Sequence, residues 1–117
     1  MSVGLIVLKE FRKGVNILRV KNFILLDPSL ADEMTTVLSE AFTSGDQKIL
    51  LDIGAVTRMS SLFFRSFIIA GKKAKASNAT LAFCNVSPTI KGGFEMMGLT
   101  SYFQIFDNES LALDALK

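Results

Sequence analysis

The amino-acid sequence predicts an α/β fold, a single domain over residues 1–117 with a mixed sheet of about four to five strands and about four helices. Three observations carry this expectation. The length, 117 residues, suits one core. Half the residues are hydrophobic and 21% are charged, which supplies apolar material for a core without the charge excess that keeps a chain disordered. Beyond an opening pair of β-branched runs, strand-like and helix-like segments alternate, and that alternation implies right-handed crossovers in a parallel or mixed sheet.

Val3 to Lys9 and Val15 to Val20 are short and rich in apolar, β-branched residues, with Arg12-Lys13-Gly14 between them, and they read as a hairpin. Asp27-Pro28 then places an N-capping carboxylate before a proline suited to the first helical position. From there Leu30, Met34, Val37, Leu38, Ala41 and Phe42 recur at spacings of three and four until Gly45 ends the helix. Lys48 to Ile53 is a continuous apolar run closing on a carboxylate, as expected of a central strand. A second helix is expected to begin at Ser60 or Ser61, either hydroxyl serving as N-cap. Its buried stripe is Phe64, Phe67, Ile68 and Gly71, and Lys72, Lys73 and Lys75 sit where the helix dipole favours cations.

Thr80 to Cys84 reads as a further strand. Ser87-Pro88 repeats the cap-then-proline signal, with Ile90, Phe94 and Met97 at helical spacing and Gly98 as a left-handed stop. Gly92-Gly93 inside this helix weakens it by about 1 kcal/mol each relative to Ala. Tyr102 to Phe106 makes the last strand, and Asp107 or Asn108 caps a terminal helix with Leu111, Ala115 and Leu116 inward. Met96, Met97 and the phenylalanines are expected to be mostly core.

Several function classes are excluded by composition. Histidine is absent and cysteine occurs once, which removes histidine acid–base chemistry, Cys/His zinc sites and intrachain disulfides. Apolar runs such as Phe67-Ile68-Ile69-Ala70 are far shorter than the ~20 residues of a membrane span, so no direct membrane insertion is expected. Met1 to Gly4 carries no positive patch before an apolar stretch, and a lone cysteine suits a reducing compartment, so the expected location is cytoplasmic. The net charge of +2 predicts no nucleic-acid binding. Charge is nonetheless segregated. Between Asn22 and Gln47 it is only acidic (Asp27, Asp32, Glu33, Glu40, Asp46), and between Ile53 and Phe94 only basic (Arg58, Arg65, Lys72, Lys73, Lys75, Lys91). Such blocks serve as solvated helix faces or as a docking surface.

No enzymatic constellation is visible, and neither a cofactor nor a metal is expected. Asp52 ends a strand as the phosphoacceptor of a receiver domain does. The further carboxylates needed for magnesium are missing, since the first strand runs into Lys9-Glu10-Phe11, so Asp52 is expected to bond nearby loop amides. Phosphate-binding glycine loops are absent, and Cys84 is expected to be a small core residue. Val56 to Phe63 differs, because Ser60 and Ser61 stand at a strand-to-helix turn where backbone N–H groups and the dipole favour an added phosphate. Arg65 lies four residues beyond Ser61 and Arg58 three before it.

Leu51-Asp52-Ile53-Gly54-Ala55-Val56-Thr57-Arg58-Met59-Ser60-Ser61, followed by Lys72-Lys73-Ala74-Lys75, Ala82-Phe83-Cys84-Asn85-Val86-Ser87-Pro88, Met97-Gly98-Leu99 and Ile105-Phe106-Asp107, resembles a STAS domain of the anti-sigma factor antagonist family. The resemblance covers nearly the whole chain and implies a STAS-type fold. The family's phosphorylation loop reads Asp-Ser-Ser/Thr-Gly-Leu. An ungapped match from Leu51 sets Ser60 at the Asp position, Ser61 at the phosphoacceptor, Leu62 at the next Ser/Thr and Phe63 at the Gly. Only the acceptor is retained.

The resemblance implies a regulatory protein-interaction module that binds an anti-sigma factor of the serine kinase type and is switched by phosphorylation of Ser61. The replaced loop positions leave a second class open, a non-phosphorylated adaptor or scaffold subunit of a stress-signalling or transport assembly. In either class the expected partner-binding residues are Arg58, Ser60, Leu62, Phe63 and Arg65. Because Phe64, Phe67 and Ile68 already define the buried stripe, Phe63 is expected to point outward as an apolar anchor.

Overall fold

The structure is a computed structural model and describes residues 4–117. The chain runs β1 (Val7–Arg12), β2 (Val15–Val20), β3 (Ile24–Leu25), α1 (Pro28–Thr43), β4 (Lys48–Asp52), β5 (Arg58–Met59), α2 (Leu62–Ala76), β6 (Thr80–Cys84), α3 (Pro88–Met96), β7 (Gln104–Phe106) and α4 (Glu109–Leu116). Five strands form a mixed sheet in the order β1-β2-β4-β6-β7, antiparallel at β1/β2 and parallel elsewhere. The expected mixed α/β sheet with four helices is therefore what the chain forms.

Strand alternation divides the core between the two faces of the sheet. Leu18, Val20, Ile49, Leu51, Leu81 and Phe83 point toward α1, α2 and α3. Val15, Ile17, Leu50, Ala82 and Cys84 point the other way, onto Ala112, Leu113 and Leu116 of α4. The three strands β2, β4 and β6 are thus covered on both sides, which is why they read as continuous apolar runs rather than as alternating ones.

The caps behave as their chemistry requires. The Asp27 carboxylate accepts from the Ser29 amide at 2.9 Å, Ser87 Oγ from the Ile90 amide at 3.3 Å, and Asn108 Oδ1 from the Leu111 amide at 2.9 Å. Gly45 and Gly98 follow α1 and α3 with φ of +101° and +69°, a backbone open to glycine at little cost.

Several expectations are corrected. The expected start of the first strand at Val3 lies outside the described residues, and the strand itself is Val7–Arg12. Lys13 and Gly14, with φ of 52° and 79°, make a two-residue turn that brings Arg12 into the ladder opposite Val15. A short parallel pair, β3 with β5, was not foreseen. The last strand begins at Gln104, because a 3-10 turn over Leu99–Ser101 swings Phe103 into the core, its ring 5.1 Å from that of Phe83. The terminal helix buries Ala112, Leu113 and Leu116 and leaves Leu111 and Ala115 outside, since small Ala112 fits closely against the sheet. Met96 and Met97 are exposed, the former by 91%, because α3 turns only Ile90 and Phe94 inward.

Candidate functional site

The turn from Arg58 to Arg65 is built by an exchange between two loops. Phe23 to Leu26 lies alongside Thr57 to Ser60. The Thr57 amide and hydroxyl both donate to the Phe23 carbonyl at 2.7 and 2.9 Å, and the Ser60 amide donates to the Leu25 carbonyl at 2.9 Å. With Ile24 opposite Arg58 and Leu25 opposite Met59, this parallel pair delivers the chain to α2 in one orientation.

At the start of α2 neither serine caps. Ser61 has helical backbone angles, φ −63° and ψ −18°, where a capping residue is ordinarily extended, and its side chain makes no capping bond. The first turn is closed instead by the Phe63 amide donating to the Ser60 carbonyl at 3.2 Å and the Phe64 amide to the Ser61 carbonyl at 3.1 Å. The expectation that a hydroxyl caps this helix is corrected. Ser61 is exposed, whereas the Ser60 hydroxyl is buried without a hydrogen-bond partner among the described residues.

The structure separates the expected contact residues. Arg58, Leu62 and Arg65 are exposed, and none of the ion pairs among the described residues involves either arginine. Phe63 is the opposite of what was expected, since it is 0% exposed and belongs to the core on the helix-covered face. The buried side of α2 is wider than a single stripe. Phe63, Phe64, Ser66, Phe67, Ala70 and Ala74 all turn inward, because α2 packs on α1 and on the sheet at once. Ser66 contributes to that contact by donating to the Ala31 carbonyl of α1 at 2.9 Å.

Exposed apolar surface at this turn comes from another place. Phe23, Ile24 and Leu26 are exposed, Phe23 by 70%, and β3 holds them beside Arg58 and Ser60, with Leu62 at 41% exposure nearby in the chain. The run Phe23-Ile24-Leu25-Leu26 before the Asp27 cap was the available signal for this patch. Two grooves border the segment. One of about 400 Å³ lies between α1 and α2, lined by Pro28, Ala31, Leu62, Arg65 and Ile69. The other, about 320 Å³, is lined by Leu26, Arg58, Met59, Phe64, Ile90 and Gly93.

Asp52 is held as a strand-end carboxylate. It accepts from Arg19 Nη1 at 2.8 Å, from the Gly54 amide at 2.9 Å and from Asn85 Nδ2 at 3.2 Å. Arg19 also meets Glu10 at 3.1 Å and Glu109 at 2.5 Å, so these acidic groups surround a guanidinium rather than a vacant cation site. The hydrogen bonds that the guanidinium donates to Glu10, first among these contacts, hold it firmly charged, its pKa raised above the ordinary arginine value. Cys84 is fully buried, and burial pushes its thiol up to about 12. Both residues take the structural roles expected of them.

The family model of the STAS domain matches residues 6–112. The chain is a member of the STAS domain family. A relative in Bordetella bronchiseptica, BtrV, bears the name of an anti-sigma factor antagonist and is 24% identical over 87 residues, covering 74% of this chain and 75% of BtrV. The fold is similar to that of TM1081 from Thermotoga maritima, a protein also described as an anti-sigma factor antagonist, at a TM-score of 0.84 and 19% identity over 94% of this chain and 93% of that one. It is similar too to the phosphorylated form of the Bacillus cell-fate determinant SpoIIAA, at a TM-score of 0.73 and 18% identity over 96% of this chain and all of that one (100%). Among the described residues, no helix of this STAS domain is long and apolar enough to cross a membrane.

Proposed function

We propose that this STAS domain is an anti-sigma factor antagonist that binds an anti-sigma factor of the serine kinase type through the turn from Arg58 to Arg65, with Ser61 as the phosphoacceptor. The observation that carries the reading is the free hydroxyl of Ser61, exposed at the N-terminus of a 15-residue helix and not spent on capping it. A phosphate there gains from the helix dipole by up to about 2 kcal/mol and from charge-assisted bonds that the exposed Arg58 and Arg65 can supply. The name of BtrV, the description of SpoIIAA as an anti-sigma factor antagonist and the existence of SpoIIAA in a phosphorylated form support the same reading. Apolar contact would come from Phe23, Ile24, Leu26 and Leu62, all exposed, and not from Phe63, which is buried.

One observation favours the second reading, a non-phosphorylated adaptor: the exposed patch around Ser61 is largely apolar, which suits a constitutive contact. Ser61→Asp and Ser61→Ala separate the two. Ser61→Asp weakens capture of a serine-kinase anti-sigma factor and Ser61→Ala leaves it intact if the serine is a switch. Equal capture by both variants, together with no phosphate on Ser61 by mass spectrometry of protein from its native cells, sinks the switch in favour of the adaptor.

A further inference from the structure

We propose that β1 is a self-association strand, along which two copies of this chain pair antiparallel about a two-fold axis through Leu8, joining two five-stranded sheets into one. β1 is an outer strand of the sheet and pairs with β2 one to one, without a bulge, from Val7 opposite Val20 to Arg12 opposite Val15. The Ile6 carbonyl accepts from the Lys21 amide at 2.8 Å, which turns the backbone groups of even-numbered residues toward β2. By the alternation of an antiparallel ladder, Val7, Lys9 and Phe11 present their N–H and C=O groups outward.

Natural edge strands are often guarded by charged side chains, Lys above all. Here each charge on β1 is engaged within its own chain, Lys9 with Asp46 at 3.1 Å, Glu10 with Arg19 at 3.1 Å and Arg12 with Glu109 at 2.7 Å. What remains unshielded is apolar: Ile6, Leu8 and Phe11 are exposed by 44%, 51% and 68%.

The occupant is a second copy because the strand complements itself in one register. A two-fold axis normal to the sheet keeps each side chain on its own face, so residues that meet across it share parity and the residue on the axis meets its copy. An axis at Lys9 sets lysine against lysine, and one at Glu10 sets carboxylate against carboxylate. An axis at Val7 or at Phe11 uses only an end of the strand, and the second brings Lys9 opposite Lys13. With the axis at Leu8, leucine meets leucine, Val7 faces Lys9, Ile6 faces Glu10, and no like charges stand opposite. Val7 and Lys9 then exchange backbone hydrogen bonds with Lys9 and Val7 of the second copy.

Sedimentation of the full chain over a concentration series tests the association, and oxidative cross-linking tests the register. The chain is expected to shift from monomer to dimer with concentration, and Leu8→Lys to stay monomeric while its circular dichroism remains that of the native fold. Leu8→Cys is expected to form a covalent dimer about tenfold faster than Lys9→Cys or Glu10→Cys, because only its Cα atoms would face each other at disulfide distance. A native chain that remains monomeric at several hundred micromolar, a dimer that persists in Leu8→Lys, or faster cross-linking at residue 9 or 10 would each overturn the proposal.

Discussion

The backbone of Gly93 in α3 lies against the ring of Phe64 in α2, so closely that a methyl group at Gly93 would stand 2.6 Å from Phe64 Cζ. The ring cannot easily yield, because it packs edge-on against Phe67 and Phe94 with centroids at 6.3 and 5.0 Å. Gly93 therefore sets how near α3 approaches the helix that carries Ser61.

Helix propensity alone favours alanine at both glycines of α3. A methyl group at the neighbouring Gly92 would meet nothing within 4 Å beyond its own helix. Gly92→Ala is expected to stabilise by up to about 1 kcal/mol, whereas Gly93→Ala is expected to destabilise by about 1–3 kcal/mol through overpacking. Urea unfolding of the pair checks this, since equal effects of the same sign would deny the Phe64 contact.

Burial of Phe63 changes how the candidate surface must be probed. Phe63→Ala is expected to cost about 3–5 kcal/mol, so lost binding in that variant reports unfolding rather than a lost contact. Leu62→Ser and Phe23→Ser change exposed side chains and are expected to shift stability by no more than about 0.5 kcal/mol. In a capture assay with the partner, these two should weaken binding while circular dichroism stays that of the native chain.

Cys84 reports opening of the core. Its thiol is buried and held neutral, with a pKa of about 12 against the ordinary 9.0. Alkylation by iodoacetamide at pH 8 is expected only after unfolding, with a rate that rises in step with the unfolded fraction in denaturant. The raised pKa also fixes a sign. The stability it represents is complete below the unfolded value near 9 and is lost as pH climbs toward 12.

Asp27 governs part of the acid limb. Its carboxyl is held below the ordinary 3.8 by the backbone amide and then the hydroxyl of Ser29. A lowered native pKa contributes stability that is present above the unfolded value and disappears as pH falls through the native one. Asp27→Asn keeps a capping oxygen without the titration, so it should resemble the native chain at pH 7 and lose less thermal midpoint between about pH 4 and pH 2.

Much of this architecture was determined by sequence-local chemistry. Asp27, Ser87 and Asn108 cap the helices that their spacing announces, and the apolar runs from Lys48 and from Thr80 become the two central strands, because a strand buried on both faces has no polar side to show. The position of Ser61 at the start of α2 was legible too, although the capping role from which it was read is not the one it takes. What the tertiary structure alone decided is which way the side chains around it face. Phe63 and Leu62 are adjacent apolar residues with the same local signal, and the packing of α2 against both α1 and the sheet turns the first inward and the second out. The patch beside Ser61 had to wait for β3 to pair with β5, a contact between residues 34 apart in the chain that begins with the bond from Thr57 to Phe23. Neither hydroxyl is a cap: the Ser60 amide is bonded to the Leu25 carbonyl, and Ser61 already has helical backbone angles where a capping residue is extended. Periodicity within one segment says which residues share a face, but the number of neighbours that close on a helix sets how wide its buried face becomes.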